Sequence, residues 1–303
     1  MRVAIIQETV DVRRGGAETS TLEMARALAD LGLDVTVVCR AAARANHTVA
    51  GVRIAEIATT GFTRALRTLR FVQSAQRYCR AELFDIIHAV TPCLAAHVYQ
   101  PRGGTYAETV QRGLALVGSH EVRWLKWLGR QFNLRQRFLT KLELTMFRKR
   151  RHRMFVAAVS DYVRRQVLLH DFPDERVRVV FNGVDFTPLD ANAAQQARAA
   201  LRNRLQLAES TPLVLFAAHN FKLKGLGELI RACSVQPVEL STDSSTKAAD
   251  WHLVVAGRDK TRPYERMAQH LGVRDRVHFI GAATPMRELY AAADAVALPT
   301  WYD

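Results

Sequence analysis

Hydrophobic residues recur along the chain in short β-branched runs that alternate with segments of helical periodicity. The first run, at residues 3–6, is followed by a segment at 17–31 whose leucines and alanines fall on one helical face. Gly32 is predicted to end that helix, and the next strand is predicted at 34–39. Further strands are predicted at residues 52–57, 84–89, 154–159, 177–181, 213–217, 252–256, 277–280 and 295–298. Nearly continuous apolar strands separated by helices predict an α/β fold with parallel sheets covered on both faces.

The chain is predicted to contain two domains. Asn-Gly, Asp and Pro residues cluster at 182–192, which is typical of a linker. We therefore place an N-terminal domain at 1–185 and a C-terminal domain at 186–303, each a doubly wound α/β unit, facing each other across a cleft. Ligands of such sheets bind beyond the carboxyl ends of the strands, where Gly15, Gly16 and Lys224 are expected.

Composition narrows the class of protein. The 303 residues suffice for about two domains, and 49% hydrophobic with 24% charged residues is typical of a globular protein. The formal net charge of +14 requires an anionic partner, such as nucleic acid, an acidic membrane surface or phosphorylated substrates. The four cysteines include no C-x-x-C pair, which disfavours both a metal site and a disulfide framework.

No targeting or membrane-spanning segment is predicted. The opening apolar run is too short for a signal peptide, and no stretch of about 18 apolar residues occurs. The expected location is therefore the cytoplasm.

The segment from Asn220 to Gly225 is the first candidate site. It follows the apolar run at 213–217 and precedes a helical pattern, so Lys224 lies at a strand–helix turn. A lysine beside the positive end of a helix, with its unpaired N–H groups, favours binding of a phosphate. Taken alone, the pattern more often marks a solvent-exposed lysine at an ordinary turn.

Two further turns are candidates for contact with a phosphate. Gly15 and Gly16 lie between the first strand and the first helix, where glycine lets the backbone approach a ligand closely. The segment lacks the G-x-G-x-x-G dinucleotide fingerprint, and a turn that needs positive φ explains it equally well. Asn182, followed by Gly183, comes after the strand predicted at 177–181 and is by itself typical of a turn.

The remaining candidates are less specific. Gly257 and Arg258 end a strand of the second domain, where Arg258 could meet a phosphate or remain an ordinary surface residue. His88 lies at the end of its predicted strand and His97 soon after it, but lone histidines are often structural. No Ser/His/Asp arrangement and no Asp-x-Asp pair indicates a nucleophile or a divalent metal.

Residues 121–153 combine many cations with interleaved aromatic and aliphatic residues. Trp124, Lys126, Trp127 and Arg130 are the predicted membrane-facing residues, because basic helices with Trp and Leu on one face suit an anionic bilayer. The alternative is that the aromatic side chains pack into the first domain while the cations are solvated. Nucleic acid is disfavoured as a partner, because no recognition motif accompanies the charge.

Taken in order, these segments resemble glycosyltransferase family 4, the retaining enzymes of GT-B fold, and within it the lipopolysaccharide-core glucosyltransferases. The resemblance extends over essentially the whole chain. It rests on Gly15-Gly16 and on the segments 158–161, 182–185, 221–225 and 288–294.

The resemblance implies two Rossmann-like domains, with the nucleotide-sugar donor held mainly by the second and the acceptor mainly by the first. Gly16 would approach the donor phosphate, and Lys224 would neutralise the diphosphate leaving group. A fixed cation stabilises that charge without a metal, so no metal or other cofactor is expected. The family often pairs the lysine with an arginine; Leu223 stands nearby, so Arg258 or His219 is expected to substitute.

The family also implies a polar residue near the sugar, which corresponds to His88 or His97. Its members carry a Glu-x7-Glu segment shortly after a motif like that at 298–303, where this sequence stops, so the second domain is expected to be incomplete. Two functions stay open. One is transfer of a hexose, with retention, from a nucleotide-diphosphate sugar to a membrane-associated glycolipid such as lipopolysaccharide core, with the chain peripheral on the inner face of the cytoplasmic membrane. The other is a remnant that binds nucleotide or membrane without transfer.

Overall fold

The chain divides into two compact units, each with a parallel sheet of its own. The computed structural model describes residues 1–11, 16–42, 50–115, 133–183, 187–235, 251–282 and 285–301. The two units are Met1–Val184 and Asp185–Asp303, here called unit 1 and unit 2.

The main sheet of unit 1 is doubly wound. Its described strands are β1 Arg2–Ile6, β2 Thr9–Val10, β3 Asp34–Cys39, β4 Ala41–Ala42, β5 Val52–Glu56, β6 Ile86–Ala89, β7 Val98–Tyr99, β8 Phe155–Ala158 and β9 Val177–Val179. Seven of them pair in parallel in the order β5-β3-β1-β6-β7-β8-β9, and β2 pairs separately with β4. The chain progresses in opposite directions on either side of β1 and β6, so the topological switch point lies between these two strands.

Helices connect the strands of unit 1. The described helices are α1 Gly16–Asp30, α2 Arg64–Ala81, α3 Tyr106–Ala115, α4 Leu134–Arg150 and α5 Asp161–Leu168. Side-chain oxygens of Thr63, Asn133 and Ser160 accept the N–H groups that open α2, α4 and α5. Gly32, with φ of +81°, follows α1 and takes the left-handed conformation that ends a helix.

Both faces of the unit 1 sheet are buried. Val3 and Ile5 of β1 join the hydrophobic cluster that contains residues of α1, whereas Ala4 and Ile6 join the cluster that contains residues of α2. Successive side chains of a strand point to opposite faces of the sheet, so the two sets of alternate residues in β1 pack into two different hydrophobic cores. The predicted burial on both faces is therefore confirmed.

Unit 2 repeats the plan with a smaller sheet. Its described strands are β10 Leu213–Ala217, β11 His252–Ala256, β12 Val277–Gly281 and β13 Ala295–Val296. Its described helices are α6 Ala191–Leu205, α7 Leu226–Ser234, α8 Arg262–His270 and α9 Met286–Ala292. The strands are parallel in the order β12-β11-β10-β13, so here the switch point lies between β10 and β13.

A buried arginine fixes the amino end of β13 against β10. Arg202 of α6 is 1% exposed and donates to the carbonyl groups of Glu209, Thr211 and Ala292. Its Nη2 also donates to Oδ2 of Asp294 at 2.8 Å, and the same oxygen accepts the N–H of Leu213 at 2.7 Å. Asp294 therefore joins α6, the start of β10 and the start of β13.

Most predicted elements agree with the structure, and the differences lie at short strands. The strands predicted at 34–39, 213–217 and 252–256 have the observed bounds. The strand predicted at 295–298 is shorter, Ala295–Val296, and β7 was not predicted. Two residues are too few to show a hydrophobic period, so strands of this length are visible only through their neighbours.

Replacement of Asp294 is expected to destabilise unit 2. The change Asp294→Asn leaves the buried guanidinium of Arg202 without its counter-charge, and the free energy of unfolding should fall by roughly 2–3 kcal/mol. The matched control is Glu209→Gln, because the Glu209 carboxylate is 67% exposed and pairs with the exposed end of Arg198. That variant should lose less than about 1 kcal/mol. Urea unfolding followed by circular dichroism measures the free energy of unfolding of both variants. Equal losses would show that the buried Arg202–Asp294 pair stabilises unit 2 no more than the exposed Arg198–Glu209 pair does.

Candidate functional site

The loop between β10 and α7 emerges at the switch point of the unit 2 sheet. It is a series of turns held by its own backbone, with the N–H of Lys224 donating to the carbonyl of Asn220 at 2.9 Å. Oδ1 of Asn220 accepts the N–H of Leu223 at 3.1 Å, and the ring of Phe221 is buried in the core. Asn220 thus shapes the loop, and Phe221 anchors it.

Asp259 ties this loop to the segment that follows β11. One carboxylate oxygen of Asp259 accepts the N–H of Phe221 at 2.9 Å, and the other accepts the N–H of Lys260 at 2.7 Å. The sequence indicated Gly257 and Arg258 in this segment but not Asp259. A lone Asp after a strand carries no local signal of a partner 38 positions away.

Two glycines allow three segments to approach one another at this edge. Gly257 has a φ of +150°, and a Cβ built on it would lie 1.8 Å from the carbonyl oxygen of Ala218. Gly225 has a φ of +80°, and its Cβ would lie 2.1 Å from the carbonyl oxygen of Pro299. The N–H of Trp301 also donates to the carbonyl of Leu223 at 3.0 Å. The segments after β11 and β13 therefore both contact the lysine loop.

Lys224 is half-buried in this loop, one residue before the N-cap of α7. The N–H groups of Leu226 and Glu228 already donate to carbonyls of the turn, so the helix start offers fewer donors than the sequence suggested. The lysine ammonium is therefore the main source of attraction for an anion here. Its place at the switch point is where ligands of parallel sheets bind.

Gly257 lies against the lysine loop, but Arg258 and His219 are exposed side chains. Among the described residues, Arg258 makes no hydrogen bond or ion pair. The structure therefore brings together Asn220, Lys224 and Gly257, and the roles of Arg258 and His219 stay predictions.

In unit 1, Asn182 lies near the start of α1. Its Oδ1 accepts the hydroxyl of Ser20 at 3.2 Å, and Ser20 lies one turn after Gly16, which opens the helix. The carbonyl of Ser20 in turn accepts Nη2 of Arg102 at 3.4 Å. Gly16 and Asn182 therefore belong to one edge of the unit 1 sheet.

His88 lies in β6 and His97 directly before the neighbouring strand β7, and the two rings differ in surroundings. His88 lies in β6, and its Nε2 is 3.1 Å from Oε1 of Gln100, an oxygen that can only accept, so Nε2 carries the proton. Burial lowers the pKa of His88 to about 4, which keeps the ring neutral at neutral pH. His97 precedes β7, and its Nδ1 accepts the N–H of Ile87 at 3.2 Å. Their proximity to a sugar stays a prediction.

Several predicted site residues lie outside the described part of the chain, namely Gly15, Trp124, Lys126, Trp127 and Arg130. The described part of the basic segment is α4. Its Phe147 is buried in the unit 1 core, and Phe138 packs against the same cluster. For α4, therefore, the aromatic side chains face the core, as the alternative to membrane contact expected.

Among the described helices, none combines the length and apolar character needed to cross a lipid bilayer. Within the same residues, His, Cys, Asp and Glu side chains form no group of three or more that could hold a metal ion.

The chain matches two family models. The one described as Glycosyltransferase Family 4 matches residues 14–187, and the one described as Glycosyl transferases group 1 matches residues 197–302. A D-inositol 3-phosphate glycosyltransferase of Xylanimonas cellulosilytica is 36% identical over 155 residues, which cover 48% of this chain and 34% of that protein. The lipopolysaccharide glucosyltransferase WaaG of Escherichia coli K12 is 32% identical over 107 residues, which cover 35% of this chain and 27% of that protein. The alignments thus span about a third or less of the length of these relatives.

Solved structures confirm the predicted GT-B fold. The crystal structure of WaaG, a glycosyltransferase involved in lipopolysaccharide biosynthesis, matches with a TM-score of 0.74 at 21% identity, covering 98% of this chain and 75% of that one. The structure of Anabaena HepE in complex with UDP-glucose matches with a TM-score of 0.63 at 17% identity, covering 99% and 74%.

Replacement of Gly257 is expected to distort the lysine loop. In Gly257→Ala the new Cβ collides with the backbone of Ala218, so the free energy of unfolding should fall by at least about 2 kcal/mol. The matched control is Gly227→Ala in α7, where the nearest atom to the new Cβ lies 3.8 Å away. This control should be neutral or slightly stabilising, because alanine favours a helix. Thermal unfolding compares the two, and a Gly257→Ala variant as stable as wild type would show that the close contact does not exist.

The stability of the chain is expected to depend on the protonation of His88. The folded chain holds this ring neutral, with a pKa of about 4 against the ordinary 6.5, because the site is buried. The unfolded chain takes up the proton first, so stability should fall as the pH drops from about 6.5 to about 4, by up to roughly 3 kcal/mol.

Urea unfolding at a series of pH values measures this slope. His88→Asn should flatten it, whereas His219→Asn, a change at an exposed histidine, should leave it as in wild type. An unchanged slope in His88→Asn would contradict the assignment.

Proposed function

The chain belongs to glycosyltransferase family 4, and from that membership we propose that it transfers a hexose from a nucleotide-diphosphate sugar to a membrane-associated glycolipid with retention of anomeric configuration. The observation that carries the proposal is the position of Lys224. A half-buried lysine lies on a loop held by Asp259, Gly225 and Gly257 at the switch point of a parallel sheet.

The donor assignment follows from the chemistry of this loop. A nucleotide sugar carries a diphosphate, and a fixed ammonium group at a strand–helix turn attracts such a group. Anabaena HepE, which shares the fold, was crystallised with UDP-glucose. This supports a uridine-type donor as the first to test.

In the proposed transfer, the main catalytic requirement is stabilisation of the diphosphate leaving group, because the departing phosphate oxygen can itself accept the proton of the acceptor hydroxyl. As the bond between the anomeric carbon and the diphosphate oxygen breaks, negative charge develops on the diphosphate. Lys224 would neutralise that charge, and a preorganised cation is effective because it does not reorganise during the reaction. The acceptor hydroxyl attacks the anomeric carbon from the face that the diphosphate leaves, and its proton passes to a departing phosphate oxygen. No metal is required in this scheme.

The acceptor assignment rests on the sequence relatives and on the net charge. One sequence relative is named a lipopolysaccharide glucosyltransferase and another a D-inositol 3-phosphate glycosyltransferase. The net charge of +14 favours work at an anionic surface, such as the inner face of the cytoplasmic membrane. A glycolipid of lipopolysaccharide-core type is therefore the proposed acceptor.

Replacement of Lys224 tests the proposal. Lys224→Ala is expected to lower kcat by roughly 10²–10³, the effect of removing one charge-stabilising donor. The matched control is Lys222→Ala, because Lys222 is an exposed lysine on the same loop and its loss should change kcat less than about twofold. UDP release from UDP-glucose, with and without lipopolysaccharide-core acceptor, gives the rates, and EDTA should leave the wild-type rate unchanged.

Full turnover in Lys224→Ala would contradict the role of the lysine. A wild-type chain that binds UDP but releases none from UDP-glucose would instead be a binding protein without transfer.

A further inference from the structure

Unit 1 contains a strongly basic cavity outside the site already described. Its volume is about 490 Å³, and it is lined by Glu8, Thr9, Arg40, Arg64, Arg67, Asn133 and Arg135. Four arginines and one glutamate give this lining a formal charge of +3. These residues come from four separate segments of the chain, so no local sequence pattern predicts that they line one cavity.

The cavity lies at the carboxyl edge of the unit 1 sheet. Glu8 follows β1 by two residues, and Arg40 comes directly after β3. The backbone N–H of Glu8 donates to the hydroxyl of Thr91, which follows β6 by two residues. The cavity is therefore beside the ends of β1 and β3, next to the switch point between β1 and β6, at the edge where ligands of doubly wound sheets bind.

Two helices begin at the cavity with cations instead of acids. Arg64 and Arg67 lie in the opening turn of α2, and Arg135 lies in that of α4. Neither opening turn holds an acidic residue. Because the start of a helix is the positive end of its dipole, cations there oppose folding of the free protein. A bound anion would offset this unfavourable interaction.

Glu8 holds two of the arginines in fixed positions. Its Oε2 accepts Nη2 of Arg135 at 2.6 Å, and its Oε1 accepts the hydroxyl of buried Thr68 at 2.7 Å. Nε of Arg135 donates to the same hydroxyl at 2.9 Å. Nε of Arg40 lies 3.5 Å from Oε1, an ionic contact without hydrogen-bond geometry, and this buried atom has no hydrogen-bond partner among the described residues. Arg40 thus retains donor capacity.

Arg64 and Arg67 provide the uncompensated charge. Within the part of the chain that the structure describes, neither guanidinium makes an ion pair or hydrogen bond. Arg70 of the same helix, in contrast, donates to Thr60, which lies before the helix. Two oriented and two available guanidinium groups around one cavity suit a tetrahedral dianion, because a phosphate accepts from several arginines at once.

We propose that this cavity binds a phosphate monoester carried by the acceptor. This inference rests on the proposed function, in which the donor diphosphate occupies the Lys224 loop of unit 2. The cavity in unit 1 shares no described residue with that loop and offers a place for a second anion, and the acceptor is the other substrate of the transfer. The volume leaves room for a phosphate together with part of the group that bears it.

Inorganic phosphate is the probe that tests the site. Isothermal titration of the full chain, with UDP at saturation to occupy the donor site, is expected to show phosphate binding in wild type. The double variant Arg64→Gln/Arg67→Gln should weaken it at least tenfold. The control Arg70→Gln/Arg77→Gln removes the same charge from exposed positions of α2 outside the cavity and should change it less than twofold. Acetate should compete only weakly, because it carries a single charge on two oxygens, whereas a phosphate dianion offers more charge and more acceptor oxygens to the four guanidinium groups.

Stability separates binding from a structural role. If Arg64 and Arg67 serve a ligand, the double variant should unfold at an equal or higher temperature than wild type without phosphate, since two cations leave a helix start. A lower unfolding temperature, or phosphate affinity equal to wild type, would overturn the inference. So would displacement of phosphate by UDP, which would place the anion in the donor site.

Two competitors identify the source of the phosphate. Displacement by glucose 6-phosphate supports a sugar phosphate, and displacement by phosphatidic acid vesicles supports a lipid headgroup. Displacement by neither contradicts the proposal. Failure of UDP itself to bind would contradict the proposed function instead, and titration without UDP would still report on the cavity.

Discussion

The parallel arrangement of strands buried on both faces is the constraint on which the rest of this protein depends. Alternate residues of β1 supply two separate hydrophobic cores, so the strands can carry little chemistry themselves. Polar side chains are displaced to the segments that leave the strands, and in a parallel sheet all of these emerge at one edge. Glu8 and Arg40 in unit 1, and Lys224 and Asp259 in unit 2, follow strands for this reason.

A loop at such an edge can preorganise a binding site only if its conformation is fixed. In unit 2 the conformation of the lysine loop is fixed mainly by backbone contacts. Asp259 binds the N–H of Phe221, and the absence of a side chain at Gly225 and Gly257 lets two neighbouring segments contact the lysine loop. Contacts of this kind fix the backbone at Lys224 before any ligand arrives. A preorganised charge stabilises a leaving group more effectively than a mobile one, because less reorganisation accompanies the reaction.

The sequence predicted the parts of this structure that depend on local pattern. Hydrophobic runs predicted β3, β10 and β11 to the residue, and glycine predicted the end of α1. It did not predict β7, which is too short to show a period, or the role of Asp259, whose partner is 38 positions away. The basic cavity was missed for the same reason, since no local window contains Arg40, Arg64 and Arg135 together. A cluster of charges is visible in the sequence only when its members are close together along the chain, whereas the fold brings together charges that are far apart in sequence.

The arginines of the two units show that positive charge serves opposite purposes in this chain. Arg202 is buried among carbonyl groups and Asp294, so its charge is compensated and stabilises unit 2. Arg64 and Arg67 lie at the positive end of a helix without acidic neighbours in its first turn, so their charge opposes folding. A site can attract an anion only with charge that the free protein has left uncompensated, and local instability is therefore a physical requirement of its affinity. Glu8 limits that instability by neutralising one charge and orienting two guanidinium groups, which also lowers the entropy lost when a ligand binds.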